Sequence, residues 1–161
     1  MTISVGDRLP AATVVRMGAG GPEQVAMGDL TAGRKVVIFG FPGAFTGTCT
    51  AAHVPSFIRE MAGFKAKGVD VIGLSVNDPQ VMKAFGDSTG AAAAGIAMLA
   101  DARSEFTLGI GMAFNNPAVG FVNRSLRYAL YAEDGVVKVL HQEENAGVCD
   151  ISGGASMLAA I

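Results

Sequence analysis

Apolar and polar positions alternate along this chain in two different periods. Lys35–Phe41 (KVVIFGF) and Val69–Val76 (VDVIGLSV) are nearly unbroken β-branched and aromatic runs, the pattern of strands buried on both faces. Ile96–Ala100 repeats it in a shorter form. Between the first two runs, Val54, Phe57, Ile58, Met61 and Phe64 recur at helical spacing and predict one stripe facing a core. Thr48 is a candidate N-cap for that helix and Gly68 its stop. Pro55 falls inside it and predicts a kink, because proline removes a backbone donor. Asn77-Asp78-Pro79 predicts another helix start, with Asp78 as cap and Val81, Met82 and Phe85 as the apolar face. Asp101 opens a further helix running to about Ile110.

The ends of the chain follow other rules. Ala11–Met17 and Glu23–Ala26 flank the breaker cluster Gly18 to Pro22, which predicts an N-terminal hairpin or irregular arm. Gly111–Gly120, with Asn115-Asn116-Pro117, reads as irregular. Leu126–Glu133 and Val136–Gln142 surround Asp134-Gly135, a favoured type I′ pair, and predict a hairpin. Gly147–Gly154 is a loop and Ala155–Ile161 a terminal helix. The order is an arm, then β-α-β-α-β-α, then a hairpin and a helix. Crossover helices between buried strands imply a parallel core with an antiparallel addition at one edge. The expected fold is α/β: a thioredoxin-like sandwich, its central mixed sheet flanked by helices, with an N-terminal arm and a C-terminal hairpin plus helix. No repeat or linker divides residues 1–161, so one domain is expected.

Composition narrows the function classes. Half of the 161 residues are hydrophobic and the net charge is only −2, with a pI near 5.6. That balance argues against a disordered tail and against a phosphate-backbone partner, which needs clustered Lys and Arg. No nucleic acid is therefore expected. The N-terminus has neither a basic nor an apolar signal region, and no apolar run approaches bilayer length. A soluble, cytoplasmic protein with no membrane partner is the expectation.

Two cysteines, Cys49 and Cys149, stand far apart with no CxxC motif, so neither a disulfide framework nor the usual zinc spacing is present. No metal or other cofactor is expected within this chain. Cys49 sits in the first turn of the predicted helix, where unpaired amides and the helix dipole favour an anion and lower a thiol's pKa. The competing reading is a small, inert core cysteine. Thr46, three residues earlier, would bring a hydroxyl beside the sulfur, or make only a local turn bond. Pro42 either ends the strand or also shields the thiolate from water. His53, four residues after Cys49, admits three readings: base of a hydrolase dyad, thiolate partner, or locally bonded neighbour of the kink.

The segment FPGAFTGTCTAAHVPSF resembles the active-site signature of the peroxiredoxins, Pro-x-x-x-Thr-x-x-Cys, and its flanks resemble the Prx5 (type II) branch. VGDRLP, SVNDPQVMKAF, MLAD and RYALYAEDGVVKVL extend the resemblance over nearly the whole chain. It implies a thiol-dependent peroxidase reducing hydrogen peroxide and alkyl hydroperoxides, with Cys49 attacking the peroxide and becoming a sulfenic acid. Thr46 then orients the peroxide, Pro42 shields the site, and Arg127, in SLRYAL, arrives from the distant hairpin. From the residues alone, Arg124 is as good a candidate as Arg127; the resemblance selects Arg127. Phe45, Phe121 and His53 are the candidate pocket residues; the two phenylalanines either line an apolar mouth or pack in the core. Gly47 departs from the family, where many members have proline, and leaves the motif spacing intact.

Reduction of the oxidised Cys49 requires a thiol. Cys149 either resolves it or is a bystander; in the second case an external thiol such as glutathione, glutaredoxin or thioredoxin serves. A homodimer is implied as well. The other classes are a peroxide-sensing or chaperone-like protein switched at Cys49, and a cysteine hydrolase using Cys49 with His53.

Overall fold

Alternation along the first buried strand sets the layers of the molecule. The computed structural model describes the backbone of residues 1–161 and every side chain except that of Cys49. In β3 (Lys35–Gly40), Val36 and Ile38 enter one core cluster while Val37 and Phe39 enter the other, so both faces of the sheet are covered. β3 pairs in parallel with β4 (Val69–Ser75), which pairs in parallel with β5 (Ala97–Ala100). On one side β1 (Thr13–Gly18) joins β5 antiparallel and carries β2 (Gly21–Ala26) as the edge. On the other, β8 (Tyr128–Glu133) joins β3 antiparallel and carries β9 (Val136–Gln142). The seven-stranded order is β2-β1-β5-β4-β3-β8-β9. Antiparallel strands therefore flank the parallel centre on both edges, not one. The N-terminal segment is the reason: it folds as a hairpin whose alternation lets it pair as well as cover.

One face is covered by α2 (Val54–Ala66), α3 (Pro79–Thr89) and α5 (Gly154–Ala159), which bury Phe57, Phe64, Met82, Phe85 and Met157. The opposite face is covered by α1 (Met27–Thr31), α4 (Glu105–Gly109) and the N-terminal segment, through Met27, Phe106, Ile3 and Leu9. This is the expected α/β sandwich with a mixed sheet. α1 has no counterpart in the periodicity, being barely more than one turn. Residues 111–120, expected to be irregular, contain β6 (Ala113–Asn116) and a 3₁₀ turn at Pro117–Val119. β6 pairs with β7 (Phe121–Ser125) as a separate two-stranded sheet. Asp134 and Gly135 both have positive φ, as a type I′ turn requires.

Three capping expectations have different outcomes. Asp78 Oδ1 accepts the Val81 N–H at 2.7 Å and starts α3 as predicted. Gly68, at φ +70, follows the end of α2 as predicted. Thr48 is not a cap: its hydroxyl donates instead to the Gly147 carbonyl at 2.8 Å, tying the cysteine loop to the C-terminal loop. Pro55 lies in the first turn of α2, immediately after a π-helical turn at Cys49–His53. The wider π winding accommodates the missing proline N–H, so the predicted kink is a change of helix type. Among the described residues, no helix is long and apolar enough to cross a membrane.

Candidate active site

The chain leaves β3 at Gly40 and turns sharply, and this turn is tied to β4. Asn77 Oδ1 accepts the Ala44 N–H at 3.0 Å and the Ser75 hydroxyl at 2.7 Å, while Ser75 Oγ also lies 3.3 Å from the Phe41 carbonyl. The turn holds Phe45 at φ +64, a left-handed conformation that is uncommon for a bulky residue. Thr46 Oγ1 donates to Gly43 O at 2.7 Å, and the Thr46 carbonyl receives both the N–H and the hydroxyl of Thr50. Helical winding thus begins around Thr46, and the backbone of Cys49 lies in its first turn before opening the π segment. The side chain of Cys49 lies outside the described residues.

A cleft of about 360 Å³ lies beside this turn. Its walls are Pro42 and Thr46–Thr48 from the loop, Phe114, Asn116 and Phe121 from the β6–β7 hairpin, Arg127, and Asn145–Gly147. Pro42, Thr46 and Arg127, far apart in sequence, thus line one cavity at the helix start that carries Cys49. Phe121 is in its wall. Phe45, expected at the same mouth, is not: its ring is over half exposed and packs edge-on against Phe85, 5.1 Å away. The left-handed backbone at Phe45 turns the ring away from the cleft. The structure also separates the two arginines. Arg124 donates to the Pro42 carbonyl at 3.0 Å and lies over the Phe121 ring, bracing the loop from outside the cleft.

Arg127 is buried, and three bonds to described residues orient its fork. Nε and Nη2 donate to the Ala146 carbonyl at 3.1 and 2.9 Å, and Nη1 donates to His53 Nδ1 at 2.9 Å. His53 is buried behind the cleft, edge-on to Phe39 and Phe41. Its Nε2 faces the Ser152 carbonyl at 3.1 Å. A guanidinium only donates and a carbonyl only accepts, so the imidazole is neutral with its proton on Nε2. Burial, and then the Arg127 charge, push its pKa down to about 3, against the opposing hydrogen bond to Ser152. The one lone pair of the ring is spent on Arg127. His53 therefore has none to offer a cysteine, which removes the hydrolase dyad.

Cys149 carries a free, partly exposed thiol in the loop after β9. Burial, with the Glu143 and Asp150 carboxylates, raises its pKa above the ordinary thiol value despite Ser152 and Arg127. Sequence reading did not reach the residues that hold Arg127. Ala146 and Ser152 act through backbone carbonyls, and Glu143 is one of two adjacent acids with nothing in the sequence to set it apart from Glu144, so none leaves a periodic or motif signal. Among the described residues, no group of three or more His, Cys, Asp or Glu is placed to hold a metal ion.

A cysteine at a helix start beneath a thioredoxin-like sheet, beside a cleft carrying a buried arginine, defines a class of thiol-based redox proteins. Comparison with known proteins narrows it. The Redoxin family model matches residues 4–158. The rice (Oryza sativa subsp. japonica) chloroplastic peroxiredoxin-2E-2 is 46% identical, over 99% of this chain and 73% of its own length. Reduced Prx3 from Vibrio vulnificus in complex with hydrogen peroxide has a TM-score of 0.93 and 39% identity, covering 99% of each chain. Peroxiredoxin 5 from Alvinella pompejana has a TM-score of 0.86 at 29% identity, over 98% of this chain and 97% of its own. The chain belongs to the peroxiredoxins, in their type II (Prx5) branch, and is a thiol-dependent peroxidase.

Proposed function

We propose that Cys49 is the residue that reduces the peroxide, acting with Thr46, Arg127 and Pro42. One observation carries this reading: Pro42, Thr46 and Arg127 converge on a single cleft at the helical turn that begins with Cys49. The first-turn amides and the guanidinium charge both favour a thiolate over a thiol. The thiolate attacks one oxygen of ROOH, forming an S–O bond as the O–O bond breaks. The leaving alkoxide takes a proton and departs as ROH, and Cys49 becomes a sulfenic acid. Arg127 offers fixed donors to the charge developing on the oxygens, the Thr46 hydroxyl orients the peroxide, and Pro42 keeps water off the sulfur. Hydrogen peroxide and alkyl hydroperoxides both suit the partly apolar walls.

An external thiol completes the cycle in this reading. It condenses with the sulfenic acid to release water and form a mixed disulfide, which a second thiol reduces. Cys149 suits the part of resolver poorly. Its raised pKa leaves little thiolate at neutral pH, and its loop is held in place by Glu143. Glutathione, glutaredoxin and thioredoxin are the candidate donors, and a reducing, cytoplasmic setting suits a chain with a free thiol. A homodimer, with the active-site side of the sheet near the interface, belongs to the same proposal. Its support is the β6–β7 hairpin, which exposes Val119 and Val122 next to the cleft.

The test is intact-mass analysis after one equivalent of hydrogen peroxide, with Cys49→Ser and Cys149→Ser proteins alongside. One added oxygen in the wild-type and Cys149→Ser proteins, absent from Cys49→Ser, is expected. A loss of two protons in the wild type would instead mark a Cys49–Cys149 disulfide. Rapid peroxide consumption by Cys49→Ser would refute the assignment of Cys49.

A further inference from the structure

Glu143, which is not among the residues lining the cleft, carries a carboxylate that the reaction above does not use. Glu143 is only 6% exposed. Its N–H donates to the Arg127 carbonyl at 3.0 Å. Its Oε1 accepts three donors: the Asp150 N–H at 2.7 Å, and the N–H and hydroxyl of Ser152, both at 2.8 Å. These bonds close the chain from Glu143 to Ser152 on itself. Two carbonyls of the closed loop face back toward the site. Ala146 O receives two donors of the guanidinium, and Ser152 O receives the His53 proton, with the other ring nitrogen of His53 accepting from Arg127.

Apolar packing does not set the shape of this loop. Val148 and Ile151, its large aliphatic side chains, are 40% and 49% exposed. The three donors converging on one oxygen hold the two ends of the loop together, while Thr48 and Asn145 bond its middle at Gly147. Bonds to a charged acceptor are roughly twice as strong as neutral ones. Burial alone would raise the Glu143 pKa, but the bonds from Ser152 and Asp150 outweigh it and keep the group ionised.

We propose that Glu143 is a positioning residue for peroxide reduction: by holding the Glu143–Ser152 loop closed, it places the Ala146 and Ser152 carbonyls that aim Arg127 and His53 at the site. The proposal rests on the role given to Arg127 above. A glutamine at this position keeps an acceptor but loses the charge and brings a buried NH₂ that needs a partner of its own. The loop then relaxes and the guanidinium loses its aim.

The experiment is a double-mutant cycle on the full chain with Glu143→Gln, Arg127→Gln and the combined variant. The readouts are the second-order rate of Cys49 oxidation by hydrogen peroxide, the alkylation rate by iodoacetamide above the thiol pKa, and the melting temperature. Glu143→Gln is expected to slow peroxide oxidation by about ten- to a hundredfold, the cost typical of a misplaced reacting group. Alkylation of the ionised thiol changes less than twofold, because it does not use Arg127. The combined variant is no slower than Arg127→Gln alone, because the two residues act as one unit. If the losses multiply, or if Glu143→Gln reacts with peroxide as fast as the wild type, the positioning role is overturned. An Arg127→Gln protein that keeps the wild-type rate overturns both this role and the reading of Arg127. Should Glu143→Gln fail to fold, Ser152→Ala removes one of the three donors and leaves the carbonyl. The same cycle is then read on it, with a smaller loss expected and the same criteria.

Discussion

Burial and the neighbouring guanidinium hold the His53 imidazole down at about 3, against an ordinary value of 6.5. Between those values the unfolded chain binds a proton that the folded chain refuses, so stability falls as pH falls through that window. From this group alone the slope is about 1.4 kcal/mol per pH unit. Glutamine can accept from Arg127 and donate to Ser152 without titrating. The melting temperature of a His53→Gln protein should therefore drop less than that of the wild type between pH 6.5 and 4. Parallel curves for the two proteins would mean that His53 titrates normally. Gly40 makes a second prediction at this scale. It stands directly opposite Tyr128 on β8, and a Cβ at Gly40 would run into the tyrosine ring. A buried ring with strand on one side and core on the other cannot move aside freely. Gly40→Ala is expected to destabilise by about 1–3 kcal/mol, read from the urea midpoint. An unchanged midpoint would show that the ring can shift.

The element that matters most is the passage from the cysteine loop into α2. The π turn at Cys49–His53 sets the rotation of the first helical turn relative to the rest of α2, and Pro55 follows it directly. Pro55→Ala returns a backbone donor and allows ordinary α winding, which would rotate the turn that begins at Cys49 relative to the rest of α2. Stability should change by less than about 1 kcal/mol, because proline in the first helical turn removes a bond that is missing in any case. Peroxide reactivity should fall about tenfold or more, since small misplacements of reacting groups are costly. Stopped-flow oxidation beside a melting curve separates the two effects, and an unchanged rate would show that the π winding is incidental. Loops elsewhere follow the same logic. Asp101, fully buried, accepts the N–H groups of Phe106 and Thr107 and so starts α4 from beyond the usual cap position.

At the scale of the molecule, the sheet brings together residues that the chain keeps apart. Lys35 to Gly40 pairs with Val69 to Leu74 on one side and with Glu133 to Tyr128 on the other. This register places the loop leaving β3 beside both Asn77, just past β4, and Arg127, just before β8. The hairpin that closes the cleft also presents Val119 and Val122 to solvent, 61% and 62% exposed. If the proposed homodimer forms through this hairpin, Val122→Glu is expected to sediment as a monomer where the wild type sediments as a dimer, while the fold is retained by circular dichroism. A wild-type protein that sediments as a monomer would refute the dimer directly.

Much of this architecture was legible from residues in series. The buried runs became β3, β4 and β5, Asp78 and Gly68 bound their helices, and Asp134-Gly135 turned the last hairpin, because period and turn chemistry are local properties. Resemblance to a known family singled out the Pro42-Thr46-Cys49 spacing and chose Arg127 over Arg124. Other features depended on who meets whom. Thr48 found a better acceptor across the molecule than in its own helix, and Phe45 was rotated out of the cleft by a backbone held from Asn77. The irregular stretch after Gly111 paired into a small sheet of its own. The cradle of Arg127 lay beyond sequence reading because carbonyls carry no side-chain identity and no pattern separates Glu143 from the neighbouring Glu144. Order along the chain determined the elements and the reactive loop. Only the tertiary structure decided how the guanidinium is aimed, since that depends on contacts between segments brought together by folding.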